Sequence, residues 1–342
     1  MARLGVGIVG TGWVAGEYIR AFSTLPETEV RALCSRTLEG AKAKASEYGL
    51  SCSVFNDFEK MITADGIDIV CVATPPNLHK AVAVAAAQAG KHLIVEKAMA
   101  TTLEDARAIR DAVARAGVKS VVSFVLRWNP LFEIIKIQLA DGAIGDVFFG
   151  EVDYFHGIGP WYKQYAWNVK KEVGVSSLLS AGCHAVDALR WFMGGTVREV
   201  SAYSTFGKGP DFKEYEYDPT LCLVCQFGDG RVGKVASCIE CIQPYTFHIN
   251  LVGTRGTIRN NQIYSKTKFP GQSTWATVPT ILPDSGDVSH HPFLKEAGHL
   301  VDCILNNTES HVNVADAYLT HEICFAADLS AREKQPVRLP LG

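Results

Sequence analysis

The sequence predicts an α/β half built on a doubly wound parallel sheet over residues 1–123, then an α+β half on a large, mostly antiparallel open sheet over 124–342. Three observations predict it. A chain of 342 residues with 47% hydrophobic content exceeds what one core ordinarily serves. Through the first third, short apolar runs alternate with helical stretches, the rhythm of a parallel sheet covered on both faces. That rhythm breaks near Phe124, after which strand signals joined by turns dominate.

The elements follow in order. Leu4–Val9 is an apolar strand ended by glycines, Gly16–Thr24 a helix and Glu29–Cys34 a second strand. Helix over Glu39–Tyr48, strand over Ile67–Ala73, helix over Leu78–Ala89 and strand over His92–Glu96 continue the alternation. An amphipathic helix, Leu103–Ala116, and a strand, Ser120–Val125, complete the first half. A helix over Pro130–Ala140 opens the second. Strands are expected at Val147–Phe155, Val197–Thr205, Leu221–Phe227, Arg231–Ile239 and Phe247–Gly253, with a hairpin at Gly228-Asp229-Gly230. Helices carry His184–Met193, Phe293–Asn306 and Asp316–Glu333.

Charge excludes some partners. With Lys+Arg at 33 against Asp+Glu at 36, a formal net charge of -3 leaves no positive field to hold a phosphate backbone, so no nucleic-acid partner is expected. No apolar run approaches the ~20 residues that cross a bilayer, and no basic, apolar and cleavage-site pattern marks export. A cytoplasmic protein without a membrane partner is expected. Its ten cysteines then read as reduced thiols. Cys222, Cys225, Cys238 and Cys241 have a spacing close to that of a zinc site. Their flanks read as strands, however, in which residues three apart face opposite ways, so small buried hydrophobes are expected and no metal.

The segment Gly7-Ile8-Val9-Gly10-Thr11-Gly12-Trp13-Val14-Ala15-Gly16 puts a glycine-rich turn between the first strand and the first helix. This is the context of the dinucleotide fingerprint. Gly10 permits the tight turn, Gly12 admits a pyrophosphate, and Thr11, Trp13 and Val14 lie where the helix N-terminus offers its N–H groups to an anion. A Rossmann domain binding NAD or NADP is expected. At the end of the second strand, where an acidic residue would take the ribose 2′-OH, the chain has Cys34-Ser35-Arg36-Thr37. Ser35 and Arg36 can donate to a 2′-phosphate, which favours NADP. Arg36 can equally stack on adenine and leave NAD acceptable.

Two further loops follow strands, where open α/β sheets place ligands: Thr74-Pro75-Pro76-Asn77-Leu78-His79 and Glu96-Lys97-Ala98. A lysine at such a strand end can stabilise charge on a reacting oxygen. These residues, with Gly10-Thr11-Gly12, the run Ala89 to Lys97, and Gly182-Cys183-His184-Ala185-Val186-Asp187, resemble the Gfo/Idh/MocA oxidoreductases. That family is named for glucose-fructose oxidoreductase, inositol dehydrogenase and a rhizopine catabolism protein. The resemblance runs over nearly the whole chain.

The resemblance implies nucleotide contacts from Thr74, Pro75, Asn77, His79, Glu96 and Lys97, and a contact of Arg127, within Arg127-Trp128-Asn129-Pro130, with the nicotinamide end or with the substrate. The family's EKP motif matches Glu96 and Lys97, with Ala98 in place of proline. Its DxGxHxxD motif falls on Ser180, His184 and Asp187. His184 would be the general base, Asp187 a substrate contact, and Ser180 stands where a carboxylate is usual. Without the resemblance, His184 reads equally well as a satisfied histidine on a helix face.

Trp161 and Tyr162, in an aromatic run from Tyr154 to Trp167, suit a pocket for a sugar or cyclic polyol, or else core packing or an oligomer contact. His290-His291 either reaches this region or caps the following helix. The leading expectation is reversible oxidation of a secondary hydroxyl, with Lys97 polarising the oxygen and His184 exchanging the proton. The alternatives are a retained nucleotide used transiently for sugar epimerisation or glycoside elimination, and a non-catalytic nucleotide sensor. The resemblance implies a homodimer or homotetramer.

Overall fold

The computed structural model describes residues 3–283 and 291–342, so His290 lies outside the described residues. The chain forms two compact units, Met1–Phe124 with Pro292–Leu319, and Val125–His291 with Thr320–Gly342.

In the first unit, β1 (Leu4–Val9), α1 (Trp13–Thr24), β2 (Thr28–Cys34), α2 (Leu38–Glu47), β3 (Ser53–Phe55) and α3 (Phe58–Ile62) are followed by β4 (Ile69–Val72), α4 (His79–Gln88), β5 (His92–Val95), α5 (Leu103–Ala116) and β6 (Ser120–Val122). The sheet order is β3-β2-β1-β4-β5-β6, and every pairing is parallel. Its central strands are apolar on both faces because helices cover both: Val6, Ile8, Ile69, Val70, Leu93 and Ile94 are fully buried. α1 buries Ala15, Tyr18, Ile19 and Phe22 at helical spacing. Thr102 caps α5 by accepting from the Asp105 N–H, and Gly117, at φ +64°, ends it in the left-handed conformation.

The segment that returns to this unit late in the chain forms α9 (Phe293–Leu305). Its Phe293 ring meets Tyr18 edge-on at 5.2 Å, a long-range packing that periodicity does not reveal. α10 (Val314–Glu333) then carries the chain onward into the second unit.

The second unit contains α6 (Pro130–Ala140), β7 (Val147–Phe155), α7 (Tyr165–Asn168), α8 (Cys183–Met193), β8 (Val197–Thr205), β9 (Thr220–Phe227), β10 (Val232–Cys238), β11 (Thr246–Gly253), β12 (Gly256–Arg259), β13 (Gln262–Ser265), β14 (Ala276–Thr277) and β15 (Val337–Arg338). These nine strands run in the order β14-β13-β12-β11-β7-β10-β9-β8-β15. Among the described residues only β7 and β10 pair in parallel; the other pairings are antiparallel. Along β9, buried and exposed residues alternate, the mark of a sheet with one covered face. α8 packs closely there because Gly150 and Gly233 lack a Cβ: one at Gly150 would lie 2.5 Å from Met193 Sδ, and one at Gly233 2.7 Å from Leu189 Cδ2.

The fold class matches the sequence expectation. The short edge elements β3, α3 and β12 to β15 were not legible, because two to five residues carry too little period. The strand expected to run to Val125 ends at Val122, and a 3₁₀ turn, Val125–Trp128, takes over.

Candidate active site

In the first unit, the glycine-rich turn joins β1 to α1. Gly10 has φ +111°, and a Cβ there would lie 2.3 Å from the Ala73 carbonyl oxygen, so only glycine fits. Gly12 is exposed, and a Cβ on it would meet nothing within 4 Å. As N-cap of α1 it contributes no side-chain bond, which leaves the first N–H groups of the helix open to an anion. Thr11, Trp13 and Val14 are partly exposed around it. Thr11 Oγ1 lies 3.1 Å from Ser35 Oγ, tying this turn to the end of β2, where Arg36 is exposed and forms no ion pair among the described residues.

The loop after β4 places Thr74 and Pro75 partly exposed and Asn77 exposed. Thr74 Oγ1 is buried without a protein hydrogen-bond partner. His79 is fully buried, and its Nε2 lies 2.8 Å from the Thr74 carbonyl oxygen. Burial lowers its pKa to about 4, so the ring is neutral and braces the loop from behind. The open Gly12, the uncapped helix and the Thr74 hydroxyl fit a dinucleotide.

Lys97 follows β5 and is half-buried. Beside it, Glu96 is turned into the core: its Oε1 lies 2.8 Å from Tyr18 Oη, and its Oε2 accepts from the Lys97 N–H at 3.2 Å. Tyr18 Oη also lies 2.8 Å from Ser123 Oγ and 3.3 Å from Glu296 Oε2. Sequence reasoning missed Tyr18, Ser123 and Glu296, which come from α1, the end of β6 and α9; no local spacing links them.

In the second unit, Ser180 sits in a π-helical turn, Leu178–Gly182, that runs straight into α8. Its Oγ donates to Asn168 Oδ1 at 2.7 Å, and the Tyr217 hydroxyl donates to the Asn168 carbonyl at 2.8 Å. An amide therefore faces the serine that stands in place of the usual carboxylate, a partner the sequence did not reveal. His184, one turn on, is buried. Asp187, a further turn on, accepts from Arg127 Nε at 2.8 Å, from Arg127 Nη2 at 2.6 Å and from Thr320 Oγ1 at 3.0 Å.

The aromatic run forms a cluster. His156 Nδ1 lies 3.1 Å from the Tyr154 hydroxyl, the His156 ring is 5.4 Å from that of Tyr162 and 4.8 Å from that of Tyr245, and burial raises the Tyr162 pKa. Trp161 is 62% exposed and its ring lies 6.0 Å from that of Phe212, nearly perpendicular to it. In the four-cysteine segment, Cys222 is exposed and Cys225 buried, on opposite faces of β9. Among the described residues no group of three His, Cys, Asp or Glu side chains is placed to hold a metal. Nor is any described helix long and apolar enough to cross a membrane.

Two family models match the chain: "Oxidoreductase family, NAD-binding Rossmann fold" over residues 4–124 and "GFO/IDH/MocA C-terminal domain" over residues 132–259. The chain is 27% identical to D-apiose dehydrogenase of Paraburkholderia graminis over 97% of its length and 88% of that protein. It is 26% identical to scyllo-inositol 2-dehydrogenase (NAD(+)) of Bacillus subtilis over 87% of its length and 85% of that protein. A solved levoglucosan dehydrogenase in complex with NADH and L-sorbose superposes with a TM-score of 0.89 at 23% identity, over 100% of both chains, a likeness of fold. The chain belongs to the GFO/IDH/MocA family and is an NAD(P)-dependent dehydrogenase.

Proposed function

We propose that this dehydrogenase interconverts a secondary hydroxyl and a ketone on a sugar or cyclic polyol. The observation that carries the reading is Lys97 at the carboxyl end of β5, in the same sheet whose β1–α1 turn is shaped for a dinucleotide. The relatives named above, a D-apiose and a scyllo-inositol dehydrogenase, support the substrate class.

The nicotinamide ring, when bound, supplies the hydride acceptor or donor. Gly10, Thr11, Gly12, Trp13 and Val14 hold the pyrophosphate, and Thr74, Pro75 and Asn77 line its path, with His79 and Glu96 bracing their loops from the core side. Lys97 donates from Nζ to the reacting oxygen and stabilises its developing charge. His184 takes the hydroxyl proton during oxidation and returns it during reduction. Trp161 and Tyr162 offer flat faces to the ring, and Ser180 and Asp187 fix the residues around the substrate, Asp187 through Arg127.

We read NADP as the preferred form, because Ser35 and the exposed Arg36 end β2 with no carboxylate to repel a 2′-phosphate. We place the enzyme in the cytoplasm, where ten cysteines with no disulfide among the described residues remain reduced. We assign assembly as a homodimer or homotetramer to the open face of the nine-stranded sheet, where Tyr203 and Val224 are exposed.

The test is absorbance of the reduced nicotinamide while the protein meets a panel of sugars and cyclitols with NAD or NADP. Substrate-dependent reduction with NADP ahead of NAD is expected. Nucleotide that stays bound without net reduction would replace this reading with internal redox chemistry.

A further inference from the structure

Tyr18, Ser123, Glu96 and Glu296 form a polar island inside the first unit, and none is more than 9% exposed. Close oxygen–oxygen contacts join them: Tyr18 to Glu96 and to Ser123, both 2.8 Å, Tyr18 to Glu296 at 3.3 Å, and Ser123 to Glu296 at 3.2 Å, with the Ser123 hydroxyl also acting on Glu96. The two hydroxyls bring only two protons. If both carboxyls were ionised, each hydroxyl would give its proton to a carboxylate, and the 2.8 Å contact between Tyr18 and Ser123 would hold no proton. One proton more is needed, and it must sit on a carboxyl.

The surroundings decide which. Glu96 accepts from the Lys97 N–H and has the Lys97 charge beside it. Glu296 has no exposure, and its Oε1 is buried without a partner. A bare oxygen costs far less on a neutral acid than on a carboxylate. The other titratable groups facing the pair are Tyr18 and the Cys71 thiol, both neutral. Burial pushes both carboxyls up, Glu296 well above the usual range.

We propose that Glu296 is held as the neutral acid and donates to Ser123, which donates to Tyr18, which donates to an anionic Glu96. Tyr18, Ser123 and Glu296 are then positioning residues for Lys97: this one-way chain fixes the carboxylate that binds the Lys97 N–H. The positioning role rests on the function proposed for Lys97; the proton assignment does not.

Infrared spectra of the full chain at neutral pH test the assignment without turnover. They are recorded in an Asp328→Asn background, because the Asp328 carboxyl is also pushed up, to about 7. A carbonyl stretch of a protonated carboxylic acid is expected, lost in Glu296→Gln and kept, with a shift, in Glu96→Gln. Absence of the band, its survival in Glu296→Gln or its loss in Glu96→Gln overturns the assignment. For the positioning role, Tyr18→Phe should lower kcat about tenfold, the loss of one hydrogen bond to a charged group, with nucleotide affinity unchanged. Glu296→Leu should lower kcat more than Glu296→Gln. An unchanged kcat in Tyr18→Phe overturns that role. If no activity is found at all, the infrared result still decides where the proton sits.

Discussion

Arg127 and Asp187 form a bidentate ion pair from which water is excluded, with side chains 2% and 3% exposed. Thr320 adds a third bond to the carboxylate, and its hydroxyl is in turn 2.8 Å from Arg190 Nη1. Within the second unit, the pair ties the 3₁₀ turn Val125–Trp128 to the middle of α8, one turn beyond His184. Truncating one partner strands the other charge in the core. Asp187→Ala should therefore cost about 3–5 kcal/mol of stability, read as a lowered denaturation midpoint. A variant as stable as the parent would show that Arg127 finds water or another partner.

The glycine-rich turn predicts a separation of two effects. Gly10→Ala forces a left-handed residue against the Ala73 carbonyl and should both destabilise the protein by about 1 kcal/mol or more and abolish nucleotide binding. Gly12→Val adds a side chain into open space, so the fold should survive while nucleotide affinity falls. Thermal unfolding and fluorescence titration with reduced nucleotide, run on both variants, check this.

At the end of β2, Arg36→Ala should weaken NADP binding by about tenfold or more, the worth of a charge-assisted hydrogen bond, and leave NAD binding nearly unchanged. Equal loss for both nucleotides would show that Arg36 stacks on adenine instead.

Asp328, on α10, gives a pH dependence. Burial holds its carboxyl up to about 7, and its Oδ2 has no hydrogen-bond partner. The folded state thus binds this proton more tightly than the unfolded chain, where aspartate titrates near 4, and unfolding between these values releases it. Stability contributed by the group is present below about pH 4 and is lost as pH rises toward about 7. Denaturation of the parent and Asp328→Asn across this range should show the parent losing stability relative to the variant. Parallel curves would contradict the buried assignment.

The parallel sheet, its glycine turn and the two post-strand loops were legible because each is written locally, in hydrophobic period and in glycine, proline and lysine placement. His184 and Ser180 were legible only through a family motif, since a lone histidine on a helix carries little signal of its own. What the sequence withheld is long-range. Glu296 meets Tyr18 across 278 positions, and Asn168 meets Ser180 through a π turn that no periodicity announces. His79 lies inside a nucleotide-loop motif, yet its ring is buried as a brace, because side-chain direction depends on packing that a motif does not encode.

The most direct test of the proposed chemistry is turnover by Lys97→Ala and His184→Ala, followed at the reduced-nicotinamide absorbance with the best substrate and with nucleotide binding measured in parallel. Each variant should bind nucleotide and lose about 10²-fold or more in kcat, the worth of an oxygen-stabilising donor or of a general base. Near-parental turnover in either variant would contradict the role assigned to that residue.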